Sequence, residues 1–298
     1  SAAATVDDDG LAGGNPASGP VNGPATFSGT LGGSVGLDGA GANGFAFAGN
    51  TTGTVGLETV SYSVVGNVLT ATITSGPRTG TDLFKVEITD TATGAYTVTL
   101  LDNVRHADGP NGENPVDPFA AIGYTITDAD GSPVTGNTLT ITFDDDAPTA
   151  TAEPGGTLAE GTTVSGVFDF VPGADGAGLT AINGNAVAFN PDGWSNWIDL
   201  GSGELRVKAD GSYEFKADAT TLSPVAPITG TFTVTDGDND TATAGFSFQI
   251  NDANTPTGGS AAATVDDDGL AGGNPASTIG DLNANLNDDP GDTSEASF

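Results

Sequence analysis

The stretch "TLTITF" (Thr138 to Phe143) puts Leu139, Ile141 and Phe143 on one side of an extended chain and threonine on the other. A period of two is the signature of a strand with one buried face. The same alternation runs through "YTVTL" (Tyr96), "YTIT" (Tyr124), "FTVT" (Phe232) and "FSFQI" (Phe246), and less strictly through "VLTATIT", "LFKVEIT", "LRVK" and "SYEF". Gly, Asn and Asp clusters such as "VVGNV", "DTATGAY" and "KADGSY" separate these runs and supply turns. No window carries a helical period. The expected fold class is all-β, built as tandem Ig-like, Greek-key sandwich domains in an elongated rod.

Two repeats organise the chain. Ser1–Ser18 recurs letter for letter at Ser260–Ser277, 259 positions on. Inside that period a weaker echo links "SGTLGGSVGLDGAG" (Ser28) to "SGVFDFVPGADGAG" (Ser165), "GAYTV" to "GSYEF", "GYTITDADG" to "GTFTVTDGDND", and "TLTITFDDDAPTA" to "GFSFQINDANTPT", always in the same order. The expected domains are therefore residues 1–147, residues 148–258, and the start of a third unit at 259–298. The opening phrase reads as a joint between stacked units. Since the chain opens mid-repeat without Met, it reads as a piece of something longer.

Composition narrows the function. Six Lys and Arg stand against thirty-nine Asp and Glu, a net charge of −33. Such a surface repels nucleic acid and anionic lipid and attracts cations. The ordered apolar alternation argues against the disorder that acidity alone would suggest. With no Cys, disulfides and thiolate metal sites are excluded. No stretch approaches the roughly 18 apolar residues of a membrane helix, so direct membrane insertion is not expected.

The acids fall in three kinds of place. Junction triplets hold Asp7, Asp8, Asp9, Asp144, Asp145, Asp146, Asp266, Asp267 and Asp268; late-strand loops hold Asp128, Asp130, Asp236, Asp238 and Asp240, with Asp252 in the later echo of the junction; "DGAG" turns hold Asp38 and Asp175. The "DGAG" turns read equally well as plain turns. For the rest, crowded carboxylates need a neutralising partner, and Ca2+ is the expected cofactor because it accepts six to eight oxygen ligands in loose geometry. Transition metals are disfavoured by the lack of Cys and the single His106. "DGDND" starts like an EF-hand, but it lacks glycine at the sixth position and Glu at the twelfth, where Ser247 stands. "GGSVGLDGA" is one residue too long for a calcium β-roll nonapeptide.

In combination, "ITFDDDAPTA", "VTDGDNDTATA", "INDANTPTGG", "TVDDDGLAGGN" and "LLDNVRHADGPNGEN" followed by "YTITDADG" resemble the tandem repeats of giant type I secreted RTX-class bacterial adhesins. The resemblance implies calcium-binding Ig-like or cadherin-like modules, secreted and held at the bacterial cell surface, whose partners are neighbouring repeats of the same chain and, through other domains, a glycan or cell-surface ligand. "FDDDAP" and "INDANTP" are also similar to the cadherin linker motif, without matching it fully. The implied function is a non-catalytic extender, stiffened by calcium, for attachment or biofilm formation.

Catalysis is not expected. The acids repeat in both halves along turns, and His106 reads as a loop residue beside Asp102 and Asp108. "PDGWSNWIDL" carries both tryptophans; Trp194 and Trp197, three apart on a strand, would face opposite sides with at least one in the core, and an exposed one offers a face for sugar. Identical tandem segments also open the way to strand exchange between copies.

Overall fold

The computed structural model describes residues 2–17, 23–107, 119–220, 226–252 and 258–261. Residues 1–253 form one compact unit and 254–298 another. In the first unit the strands, in chain order, are β1 (Ala2–Asp7), β2 (Thr26–Thr30), β3 (Ala40–Phe47), β4 (Thr52–Val55), β5 (Glu58–Val65), β6 (Val68–Ile73), β7 (Asp82–Asp90), β8 (Ala95–Leu100), β9 (Phe119–Asp128) and β10 (Pro133–Asp144). They form two sheets, β1-β10-β9-β3 and β2-β8-β7-β6-β5-β4. There follow β11 (Thr149–Ala150), β12 (Glu153–Ala159), β13 (Thr163–Val167), β14 (Phe170–Val171), β15 (Gly178–Ile182), β16 (Asn185–Ala186), β17 (Ile198–Asp199), β18 (Gly203–Val207), β19 (Ser212–Ala217), β20 (Ile228–Thr235) and β21 (Thr241–Asn251). These build the sheets β12-β21-β20-β15-β16 and β13-β19-β18-β17, plus a ribbon of β11 and β14.

The fold is all-β and its sandwiches repeat one plan. Setting aside the two-residue β11, in each half the first strand pairs parallel with the last, β1 with β10 and β12 with β21. The last strand pairs antiparallel with its predecessor. The second strand crosses to the other sheet and pairs with the strand carrying Tyr96 or Tyr213. Each sequence echo falls on the matching strand: Ser28 and Ser165 on β2 and β13, Tyr96 and Tyr213 on β8 and β19.

Alternation decides what is buried. Leu139, Ile141 and Phe143 are sealed in, while the threonines between them are half-buried. Two separate cores result. One gathers around Phe84 and Phe143, whose ring centroids are 5.1 Å apart; the other around the stacked pairs Phe168–Phe232 at 4.5 Å and Phe215–Phe248 at 4.2 Å. Each buried ring contributes about 1.5–3 kcal/mol. Tyr96 ties the sheets of the first sandwich together by donating its hydroxyl to Ala3 O at 3.1 Å. Gly94, at φ +76°, lies against the Phe45 ring; a side chain there would begin 2.9 Å from that ring, so the β7–β8 turn needs glycine.

Two expectations change. The opening phrase begins as an edge strand inside the first sandwich, and only its later part serves the joint. The tryptophans do not straddle a strand. Residues 191–193 turn on the surface and Ser195 pairs with Val207 of β18; neither tryptophan belongs to the core, and the Arg206 guanidinium lies 4.6 Å from the centre of Trp194 and 4.8 Å from that of Trp197. Charge on β18 explains this: Arg206, held by Glu214 on β19, offers the rings a cation instead of a cavity.

Candidate metal centre at the joint between the sandwiches

Because β1 runs parallel to β10 with Asp7 opposite Asp144, both aspartate triplets reach the same end of the first sandwich. That end is where the chain passes into the second. Asp7 caps a 3₁₀ turn (Asp8–Gly10): its Oδ1 accepts the Asp9 N–H at 2.8 Å and its Oδ2 the Gly23 N–H at 2.6 Å. Asp8 is fully buried, and its Oδ2 accepts the Val104 N–H at 2.8 Å. The glycines of the phrase serve this turn, since a side chain on Gly14 would begin 2.8 Å from Asp8 O. Asn15, buried, then grips the linker: its N–H donates to Asp146 Oδ2 at 2.9 Å, and its Nδ2 to Ala147 O at 2.9 Å and Thr149 Oγ1 at 3.1 Å. Asp146 Oδ2 also accepts the Ala174 N–H of the second sandwich at 2.6 Å.

The second sandwich presents its own acids. Asp236 Oδ1 accepts the N–H groups of Asp238 at 3.3 Å and Asp240 at 2.8 Å, which curls the "DGDND" loop after β20. Asp175, from the "DGAG" turn before β15, offers an oxygen within 4.8 Å of oxygens of Asp236 and Asp238. From the first sandwich comes His106. Its N–H donates to Asp238 Oδ2 at 2.8 Å, and its Nδ1 sits 2.5 Å from Asp145 Oδ1.

Several buried atoms here have no hydrogen-bond partner among the described residues: Asp8 Oδ1, both carboxylate oxygens of Asp175, Asp236 Oδ2, Asp238 Oδ1, His106 Nε2 and Arg105 Nε. Such orphans are rare in native proteins. The acids also feel one another. Burial first, then the charges of Asp238, Asp8, Asp236 and Asp145, push the Asp175 carboxyl up to about 9. Burial, then a hydrogen bond and charge from Asp238, push Asp236 up to about 8. Asp8 is raised well above the ordinary range by burial, with the Val104 N–H opposing, and further by the charges of Asp145, Asp146 and Asp7.

Magnitude decides what this means. At an effective dielectric near 20, two like charges about 4 Å apart cost roughly 4 kcal/mol. Three or four ionised acids with no counter-charge would then cancel most of the about 5–15 kcal/mol that holds a domain together. Arg105 supplies one cation near the loop, its Nη2 lying 3.9 Å from where a Gly237 side chain would begin. More is needed, either protons or a cation. The oxygens of Asp175, Asp236 and Asp238, all within 4.8 Å of one another, fit Ca2+, which takes six to eight such ligands without strict geometry, and the charge of Asp8 acts beside them.

The sequence-predicted acids separate accordingly. Asp7, Asp8, Asp9, Asp145, Asp146, Asp238 and Asp240 are buried, and Asp236 is half-buried. Asp7 and Asp146 serve as backbone acceptors. Asp144 is half-buried at the end of β10, and Asp252 follows β21 at the corresponding place in the second sandwich. Asp128 and Asp130 stand apart from the joint: β9 runs antiparallel to β10, so Asp128 lies at the opposite end from Asp144. There they cluster with Asp38, repeating the trio Asp175, Asp236 and Asp238. Asp266, Asp267 and Asp268 lie outside the described residues. Sequence reasoning left Asp175 undecided between turn and ligand. It also took His106 for an ordinary loop residue beside Asp102 and Asp108; the ring is in fact sealed at 1% exposure, and Asp108 is outside the described residues. The recurrence of "DGAG" in both halves was the available signal for Asp175. No local signal marked His106.

The model of a domain of unknown function, DUF5801, matches residues 3–138, which is the first sandwich into β10. No curated protein matches the chain. Among solved structures it is similar to the fibronectin(III)-like modules of Clostridium thermocellum CbhA, with 10% identity, 68% of this chain and 100% of that chain covered, and a TM-score of 0.25. It is also similar to protocadherin gamma B7 extracellular cadherin domains 1–4, with 14% identity, coverage of 72% and 52%, and a TM-score of 0.28. For mouse cadherin-23 EC22–24 the values are 14%, 72% and 67%, and 0.27. The sandwich class rests on the strand order of the two pairs of sheets. Among the described residues no helix is long and apolar enough to cross a membrane.

Proposed function

We propose that this chain is part of a non-catalytic extender of a large secreted bacterial adhesin, stiffened by calcium at the joints between its sandwiches and carrying a binding head away from the cell surface. One observation carries the reading. Asp175, Asp236 and Asp238 of the second sandwich offer oxygens within 4.8 Å of one another, Asp8 of the first acts on Asp175 through its charge, and each of the four carries a buried oxygen with no hydrogen-bond partner among the described residues. An ion bridging them resists bending because moving either sandwich breaks its coordination.

The energetics suit an export route. Extracellular modules bind calcium with dissociation constants of about 0.1–1 mM. Ion at ten to a hundred times that level adds roughly 1.4–2.7 kcal/mol per site. Where free calcium is scarce the acids repel and the joint is loose; outside the cell the joint closes. The tryptophans support the extender over a glycan-binding module, because Arg206 already occupies faces of both rings.

Small-angle scattering and thermal melting of the chain in chelator and in excess calcium test this. Calcium is expected to raise the melting temperature and narrow the distribution of inter-sandwich distances. Identical curves in both conditions would overturn it.

A further inference from the structure

His106 is the single histidine of the chain and is buried to 1% exposure at the joint. One of its ring nitrogens and one carboxylate oxygen each from Asp145 and Asp238 all lie within 4.8 Å of one another. Nδ1 touches Asp145 Oδ1 at 2.5 Å, while the buried Nε2 and Asp238 Oδ1 have no hydrogen-bond partner among the described residues. Calcium does not take this ring as a ligand, since hard cations prefer oxygen. An imidazole beside two carboxylates is the donor set of zinc and its first-row neighbours.

We propose that His106, Asp145 and Asp238 form a second metal site at the joint, for a divalent transition ion such as zinc. It rests on the reading of the joint as bridged by cations, but not on calcium being the bridging ion. The site spans the joint, because His106 belongs to the loop after β8 and Asp238 to the loop after β20. Metal–ligand bonds of about 2.0–2.2 Å put tetrahedral ligand atoms roughly 3.3 Å apart, so the His106–Asp145 contact opens by under about 1 Å to admit the ion. Three protein ligands leave one position for water. Nitrogen ligation selects against calcium, so the two ions report on different parts of one joint and share only Asp238.

The single histidine makes the test direct. The full chain, labelled with 15N-histidine and stripped by chelator, is titrated separately with Zn2+, Co2+ and Ca2+. One equivalent of Zn2+ is expected to shift a ring nitrogen of His106, and Co2+ to produce visible absorption; Ca2+ does neither while it raises the melting temperature. His106→Gln is expected to weaken Zn2+ binding by at least tenfold and to keep the calcium response. Ring nitrogens unmoved by stoichiometric Zn2+, or a Zn2+ response that survives His106→Gln, would overturn the site. If calcium stabilises but Zn2+ leaves the ring unmoved, the second site falls and the calcium reading stands. If Zn2+ binds the ring and calcium changes nothing, the calcium reading falls and the site stands. Should His106→Gln not fold, the wild-type ring signal decides alone.

Discussion

The backbone N–H of His106 donates to Asp238 Oδ2 at 2.8 Å, across 132 positions of sequence. Two residues earlier, the N–H of Val104 donates to Asp8 Oδ2 at the same distance. One short loop thus feeds alternate amides to a carboxylate of its own sandwich and to one of the next. The loop is held from behind: Arg78 donates to Glu58 Oε2 at 2.6 Å and to Asn103 O at 2.7 Å.

Removing that clamp is expected to weaken the joint without touching an acid in it. Arg78→Ala leaves Glu58, with a side chain 7% exposed, without its cation, at a cost of about 3–5 kcal/mol. Calorimetry is expected to show a lower melting temperature for the first sandwich and a smaller calcium-induced rise. An unchanged calcium response would mean that the loop does not depend on Arg78.

Asp175→Asn separates repulsion from coordination. The acid is destabilising when no cation is bound, because burial and four neighbouring carboxylates oppose its charge. The variant is expected to melt higher than wild type in chelator, yet to bind calcium on the order of tenfold more weakly, the equivalent of about 1.4 kcal/mol. Titration calorimetry and paired melts check both signs; a variant less stable in chelator would contradict the repulsion.

Stability in chelator is expected to fall as pH rises. Asp175 and Asp236 move from the ordinary 3.8 to about 9 and about 8 in the fold. Over that interval the folded chain keeps protons that the unfolded chain has released, so the stabilisation is complete below 3.8 and is lost through about 8 to 9. Calcium binds the deprotonated carboxylates, so saturating ion is expected to flatten or reverse the slope. Melting temperatures across this range, with and without calcium, measure it; a rise with pH in chelator would refute the assignment.

Asn15→Ala tests the linker grip. It removes the Nδ2 donor to Ala147 O and Thr149 Oγ1, costing about 1–3 kcal/mol for buried groups left unmatched. Limited proteolysis between the sandwiches is expected to accelerate while each core stays folded. Unaltered cleavage would show the grip to be dispensable.

The alternation of Leu139, Ile141 and Phe143 is a local property, and it was enough to place β10 and its buried face; β6, β7, β8, β9, β18, β19, β20 and β21 were legible in the same way. β1 was not. Its alanines carry little alternation, and its parallel pairing with β10 depends on residues more than a hundred positions away. That pairing carries Asp7–Asp9 to the exit end of the sandwich, a placement no local pattern encodes.

Sequence alone determined the β class, the doubled plan and the places where acids gather, because side-chain period, turn chemistry and repetition are written in neighbouring letters. Tertiary structure decided which acids meet. Asp238 meets Asp175 and Asp236 on one side and His106 and Asp145 on the other, whereas Asp128 and Asp130 lie at the other end of their sandwich. Desolvation and charge repulsion act through space, and the distances that set them exist only once strands far apart in the chain have paired.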